Sequence, residues 1–220
     1  MTSSTDAPPV RRPRGEYAKT RARKVAILDA ALEVFAQSGY RSGSIRDVAN
    51  LVGISEAGLL HHFPNKVKLL EAVLEHRDEQ SRSIVPMGSP DGAETLRGLV
   101  ELAAYNASVP GVVELYCALS AEATSPDHPA HDYFIRRYDE TRASLSAAFG
   151  RLRDDGRLST DVEPVRAAIA TIALMDGLQV QWLLDREVVD MAQELSDFFA
   201  SFVDAFDDPR LAGARRSEPS

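Results

Sequence analysis

Apolar residues recur at helical spacing through most of the chain, and no stretch alternates apolar and polar positions between turn signals. The pattern therefore predicts an all-α protein of about nine helices. Val25, Leu28, Leu32 and Phe35, at spacings of three and four, place one apolar face on a helix over 17–37, which Gly39 ends. A short helix follows, with Ser44 at its N-cap and Asp47 three residues on. The chain then turns at Val52-Gly53-Ile54, and Ser55 caps a second short helix to about residue 62. Pro64 and Asn65 start a fourth helix to about 81. The segment 85–92 (VPMGSPDG) gathers Pro, Gly, Ser and Asp and marks a domain boundary. Beyond it, helical patterns cover 93–108, 112–123, 130–153, 164–186 and 188–206.

One of these patterns is broader than a single buried face needs. From 167 to 184 apolar residues lie nearly all round the helix, Ile169, Ile172, Leu174, Met175, Leu178, Val180, Trp182, Leu183 and Leu184 among them, so it should touch both its own core and another subunit. Asp176, Gly177, Gln179 and Gln181 make it too polar for a bilayer span, and no membrane association is expected. Leu195, Phe198, Phe199, Phe202 and Phe206 give the last helix a second apolar stripe. With 44% hydrophobic and 26% charged residues over 220 positions, the chain can build a real core and is not of the disordered class. Its single cysteine, Cys117, cannot form an intramolecular disulfide. The first ten residues hold Thr, Ser, Asp and Pro where a secretory apolar run would lie, so the expected compartment is the cytoplasm.

Charge divides the chain. Residues 1–83 hold 13 basic and 10 acidic side chains, a net of +3, while the remainder holds 12 and 23, a net of −11. Residues 1–24 carry seven basic side chains (Arg11, Arg12, Arg14, Lys19, Arg21, Arg23, Lys24) against two acidic ones, and all four lysines lie at or before Lys68. Such an excess suits a polyanion; a solvated basic tail is the plainer reading.

Between 45 and 62 the apolar positions Val48, Val52, Ile54 and Leu59 surround Ala49 and Gly53, four residues apart. Small Ala49 admits a second helix and Gly53 permits the turn, as in a helix-turn-helix, although an ordinary αα-corner shares the spacing. The run SIRDVANLVGISEAGLLHHFPNKVKLLEAVL (44–74) resembles the DNA-binding region of the TetR family of bacterial transcription regulators, and AILDAALEVFAQSGY (26–40) resembles that family's first helix. The resemblance implies a three-helix DNA-binding domain and a larger helical regulatory domain. It further implies a homodimer that represses transcription from an inverted-repeat operator in double-stranded DNA until a small molecule binds. The expected organisation is then a flexible basic leader over 1–16, a DNA-binding domain with its linking helix over 17–83, a ligand-binding and dimerisation domain over 84–207, and a polar tail over 208–220.

By the same resemblance Ser44 and Ser55 lie beside phosphates and Lys66 grips one. Arg46 projects from the first helix of the motif away from the Val48/Val52 face and His61 from the second, so both can reach DNA, although a packed or merely solvent-exposed histidine is the plainer reading of His61; changes at Ala57 or His61 are expected to alter sequence preference. Arg21, from the basic run, joins this set. Two positions depart from the family: Gly58 stands where Thr or Ser is frequent, and Leu60 where a phosphate-touching Tyr is common. Glu56 suits the positive end of its helix, and its minority reading is acceptance from a cytosine amine. The arm over 11–15 could enter a minor groove or remain a free tail.

In the second half a cavity needs apolar walls and a few polar groups, and the candidates are Tyr105, Tyr116, Cys117, Phe134, Tyr138, Met175, Gln179 and Trp182, each also readable as ordinary core. Asp176 is the only ionisable residue in its apolar stretch and must face an interface, a pocket or a hydrogen-bonding partner. A small, largely apolar effector is expected there. Cys117 with His128, His131 and Asp132 has the residue types of a thiol catalyst, but Cys117 sits mid-helix among apolar residues and no glycine-rich or paired-carboxylate motif accompanies it. His128 and His131 lack a further ligand group beside Asp127 or Asp132, so they read as loop and helix cap. No enzyme activity, cofactor or metal is expected. The alternative function is a constitutive architectural DNA binder or a protein-partner adaptor on the same scaffold.

Overall fold

The computed structural model of the chain describes residues 14–159 and 161–207, with side chains from Thr20 onward. Nine helices are present among them, as the periodicity predicts. The first, α1 (Arg14–Ser42), begins three residues inside the expected leader; the leader's 1–13, with Arg11 and Arg12 of the arm, and the tail over 208–220 lie outside the described residues. Gly39 interrupts α1 at φ 74°, ψ 160°, where the sequence expects the helix to stop, and the chain makes one further turn before the next cap. Gly43 follows because a Cβ there would stand 2.9 Å from Phe35 Cδ1.

The buried face of α1 is not the predicted one. Ile27, Ala30, Ala31, Val34 and Phe35 are buried, Leu28 and Leu32 are partly so, and Val25 is 38% exposed. The reason is that α1 packs against α2 (Ile45–Val52) and α4 (Lys66–Ile84) and also against α6 (Pro110–Glu122), so two adjoining faces are in use and the alanines let neighbours approach.

Capping explains the short helices. Ser44 and Asp47 form a reciprocal capping box on α2, and Gly53 closes it in the left-handed conformation at φ 74°. Ser55 caps α3 (Glu56–His62) and Asn65 caps α4. Val48, Ala49 and Leu59 seal the crossing of α2 and α3.

Packing crosses the 85–92 segment. The first core joins residues of α1 to α4 with Leu115, Leu119, Ala123, Ala130, Tyr133 and Phe134, contributed by α6, the loop after it and the start of α7 (His131–Asp154). The second gathers α5 (Gly92–Ala107), the later turns of α7, α8 (Pro164–Leu184) and α9 (Met191–Ala200) around Leu96, Leu99, Leu145, Phe149, Leu178, Trp182, Leu195 and Phe199.

Helix α9 stops at Ala200, six residues before the expected 206, because the chain turns there and Leu158 pairs with Val203 in an isolated antiparallel bridge. Ser159 N–H donates to Phe202 O at 2.9 Å and Asp204 N–H to Arg157 O at 2.8 Å. The phenylalanine stripe of this region lies largely on the chain's own core: Phe199 is buried, and Phe198, Phe202 and Phe206 pack against that core. On α8, by contrast, Val165, Ile169 and Val180 are about half exposed, Leu184 is 83% exposed, and Val188 beyond it is 75% exposed. By length and composition α8 could cross a membrane, but its Asp176, Gln179 and Gln181 and its packing on α7 belong to a helix of a folded domain.

Candidate functional site

Leu59 points α3 into the core, which leaves Glu56, Ala57, Leu60 and His61 exposed. Ser55 Oγ accepts from Gly58 N–H at 3.1 Å, and a Cβ on residue 58 would stand 3.2 Å from that oxygen. Arg46 Nε lies 3.7 Å from Glu56 Oε2, both well exposed, so the two expected contact residues meet each other across the motif, a pairing worth about 0–1 kcal/mol. The Ser44 hydroxyl donates to Asp47 Oδ2 at 2.6 Å. That bond and the one from Ser44 N–H hold the Asp47 carboxyl below its ordinary pKa.

Lys66 is turned towards α1. Its Nζ donates to Arg41 O at 3.0 Å and lies 4.6 Å from the centre of the Tyr40 ring, and partial burial lowers its pKa. Arg21 is exposed on α1. Arg23 and Lys24, which motif reasoning left unassigned, are close enough to act on His62: partial burial first, then the charges of His61, Lys24 and Arg23, lower its pKa. Their contribution was readable in the basic run but not its direction, which depends on how α1 meets α3.

In the second half a cavity of about 350 Å³ opens between α6, α7 and α8. Tyr116, Cys117, Phe134, Tyr138, Met175, Asp176 and Gln179 line it, seven residues from three helices that the sequence reading grouped. Two expected members are elsewhere. Tyr105 is 40% exposed on α5, and Trp182 fills the second core, only 6% exposed, with the Arg186 guanidinium 4.9 Å from its ring. Sequence reasoning missed Arg137, Thr141, Ser120, Thr124 and Ile172 in the lining. Arg137 stands in a polar run (RRYDE) that reads as a solvated helix face, and its partner is 59 residues away.

That partner is Asp78 on α4, 7% exposed. Its carboxylate accepts from Tyr133 Oη at 2.6 Å, from Tyr116 Oη at 3.3 Å and from the Arg137 guanidinium. The two tyrosine hydroxyls are 2.5 Å apart, and Arg137 also lies over the Tyr116 ring at 5.1 Å. Burial opposes the Arg137 charge, but Tyr116, Asp78 and Tyr133 outweigh it and raise its pKa; burial foremost raises that of Tyr133. Next to Asp78, Arg77 is buried too and donates to Asn106 and Ser81. A second cavity of about 160 Å³ between α4, α5 and α7 shares Arg137, Thr141 and Met175 with the first.

Around the first cavity, Asp176 Oδ2 accepts from Tyr138 Oη at 2.8 Å. Burial raises the Asp176 pKa, with the Tyr138 bond and Arg137 acting against it. Burial and Asp176 raise that of the Cys117 thiol, which donates towards Gln179 Oε1 at 3.8 Å; such a thiol is a poor nucleophile. His131 Nδ1 is 2.7 Å from Ala123 O and His128 Nδ1 accepts from Ala130 N–H, so both histidines serve the turn between α6 and α7, and no metal-binding group of side chains exists among the described residues. His128 Nε2 is 3.4 Å, and Arg41 Nε 3.6 Å, from the same Glu122 carboxylate oxygen, a link between the end of α1 and the end of α6.

Comparison with known proteins covers both halves. Residues 27–73 match the family described as "Bacterial regulatory proteins, tetR family", and residues 93–207 match "BetI-type transcriptional repressor, C-terminal". The HTH-type transcriptional regulator TtgR of Pseudomonas putida is 25% identical over 218 residues, covering 94% of this chain and 99% of that protein. A solved transcriptional regulator from Saccharomonospora viridis, in complex with choline, superposes with a TM-score of 0.68 at 25% identity over 84% of this chain and 99% of its own. SmeT of Stenotrophomonas maltophilia, solved as a triclosan complex, superposes with a TM-score of 0.70 at 17% identity over 84% and 93% of the two chains, a likeness of fold.

Proposed function

This chain belongs to the TetR family of DNA-binding bacterial transcription regulators, a family that is not enzymatic, and from that premise we propose that it is a homodimeric repressor released from an inverted-repeat operator by a small molecule. The observation that carries the reading is the position of Asp78. It lies on α4, whose first turns pack in the DNA-binding core, yet it is buried against Tyr116, Tyr133 and Arg137 of the cavity helices. A molecule that redistributes those side chains acts directly on the helix carrying the DNA-binding domain. Linkage then requires that it prefer the DNA-free arrangement, and a preference of about 1–3 kcal/mol lowers operator affinity by about 5- to 150-fold.

The exposed α3 face of Glu56, Ala57, Leu60 and His61 reads bases, with Leu60 and Ala57 suited to thymine methyl groups. Ser44, Ser55, Arg46, Arg21 and Lys66 serve the phosphates, with Arg23 and Lys24 adding to the field; Lys66 keeps N–H donors beyond the one given to Arg41. Dimerisation through the uncovered apolar face of α8 brings two such units into two-fold relation. A regulator of this kind works where the chromosome is, consistent with the cytoplasm.

Selection of duplexes from a random pool, followed by sedimentation of the protein alone and bound, tests this reading. The expected result is a dimer that enriches sites with dyad symmetry and releases them on addition of a cavity ligand. Monomers at micromolar concentration, or enrichment without symmetry, would refute it. Tight symmetric binding that no cavity ligand weakens would instead mark a constitutive architectural binder.

A further inference from the structure

The charges facing the first cavity are unequal in their freedom. Only Arg137 and Asp176 bring a formal charge to its lining. The Arg137 guanidinium is occupied: Asp78 takes it from behind, and the face of Tyr116 lies 5.1 Å from it. The Asp176 carboxylate has no ion-pair partner among the described residues. Its one hydrogen bond comes from a neutral hydroxyl, Tyr138 Oη at 2.8 Å, to one oxygen only. Arg137 acts on it through its charge without forming an ion pair, and the other titratable groups facing it, Cys117 and Tyr138, both have raised pKa values and are uncharged at neutral pH. The remaining wall is uncharged, with Phe134, Met175 and Ile172 beside the polar Ser120, Thr141 and Gln179.

We infer that the effector is an organic cation, an amine or quaternary ammonium on an apolar body, whose charge sits against Asp176 while its body lies on Phe134 and Tyr138. An ammonium supplies the direct ion-pair partner that Asp176 lacks, Arg137 being paired with Asp78, and the faces of neighbouring rings favour the same sign. An anion would have to displace Asp78 from Arg137 while facing the carboxylate of Asp176. Asp176 is exposed, and a neutral molecule covering it would take water from the carboxylate and leave it unpaired. The inference rests on the reading of this cavity as an effector site, and it adds the sign of charge and the residue that selects it.

The test uses the full-length protein, titrated calorimetrically with benzyltrimethylammonium, with its uncharged carbon isostere neopentylbenzene, and with phenylacetate. The cation is expected to bind about five- to ten-fold more tightly than the isostere. Asp176→Asn should remove that advantage by weakening the cation while the isostere binds at least as tightly as before, and Asp176→Glu should retain part of it. Equal or tighter binding of the isostere or of phenylacetate, an Asp176→Asn protein that keeps the cation preference, or no binding of the cation would each overturn the inference. Operator affinity measured in the same samples separates the two readings. Cation selectivity without operator release leaves the cation site standing and removes its regulatory role; release by the isostere or by phenylacetate alone keeps the regulatory role and removes the cation.

Discussion

The DNA-binding region and the cavity region use polar side chains in opposite ways. Around the helix-turn-helix, Ser44 with Asp47, Ser55 with Gly58 and Asn65 with Lys68 are exposed contacts between residues three apart. In the cavity region the corresponding contacts join residues 38 to 59 positions apart: those of Asp78 with Arg137 and Tyr133 are largely buried, while that of Tyr138 with the exposed Asp176 lies on the cavity wall. Local caps fix where short helices begin, and each can be lost with little effect on its surroundings. A buried carboxylate shared by two tyrosines and an arginine fixes how helices sit against one another, and losing one member strands the rest.

The contrast is most exposed to failure at Asp78. Asp78→Ala leaves Arg137 and Tyr133 buried without their acceptor and should cost about 3–5 kcal/mol in urea unfolding. Replacing both charges together, as Asp78→Leu with Arg137→Met, should recover much of that loss, because the cost lies in the unpaired partner. A loss below about 1 kcal/mol for the single variant would place Asp78 with the local caps. Ser44→Ala is the matched measurement on the other side. It removes one exposed capping oxygen and should cost about 1 kcal/mol, with far less effect on the cavity.

The smallest expected effect belongs to Asp176. Its folded pKa is raised, so the folded chain holds that proton more tightly than the unfolded chain, and the contribution is favourable at low pH and lost as pH rises through the folded value. Asp176→Asn, which never ionises, should therefore melt slightly higher than the parent at neutral pH. The gap should close as pH falls to about 4, the ordinary carboxylate range. The groups facing Asp176 are Tyr138 and Arg137 from α7 and Cys117 from α6, none of which changes charge over that interval. A lower melting temperature for Asp176→Asn at neutral pH would show that the carboxylate is better supported than its surroundings indicate.

What the sequence determined by itself was whatever depends on neighbours within about one helical turn. Ser44, Ser55 and Gly53 could be placed as caps and turn because their partners are three or four residues away, and the helix-turn-helix followed from the spacing of Ala49, Gly53 and Leu59. The grouping of Tyr116, Phe134, Tyr138 and Asp176 was also readable, since aromatic residues and one carboxylate concentrate on helices otherwise poor in charge. Only the tertiary structure decided the rest. Periodicity gives an apolar stripe but not how many neighbours share it, so α1 buries Ile27, Ala31 and Val34 where Val25 and Leu28 were expected to lead. Trp182 and Gln179 lie one turn apart on α8, yet the first fills core and the second faces the cavity, a choice made by which helices pack on either side. The neighbours of Arg137 along the chain are polar, and nothing among them announces Asp78. The fold brings the two together, and burial then makes their pairing obligatory.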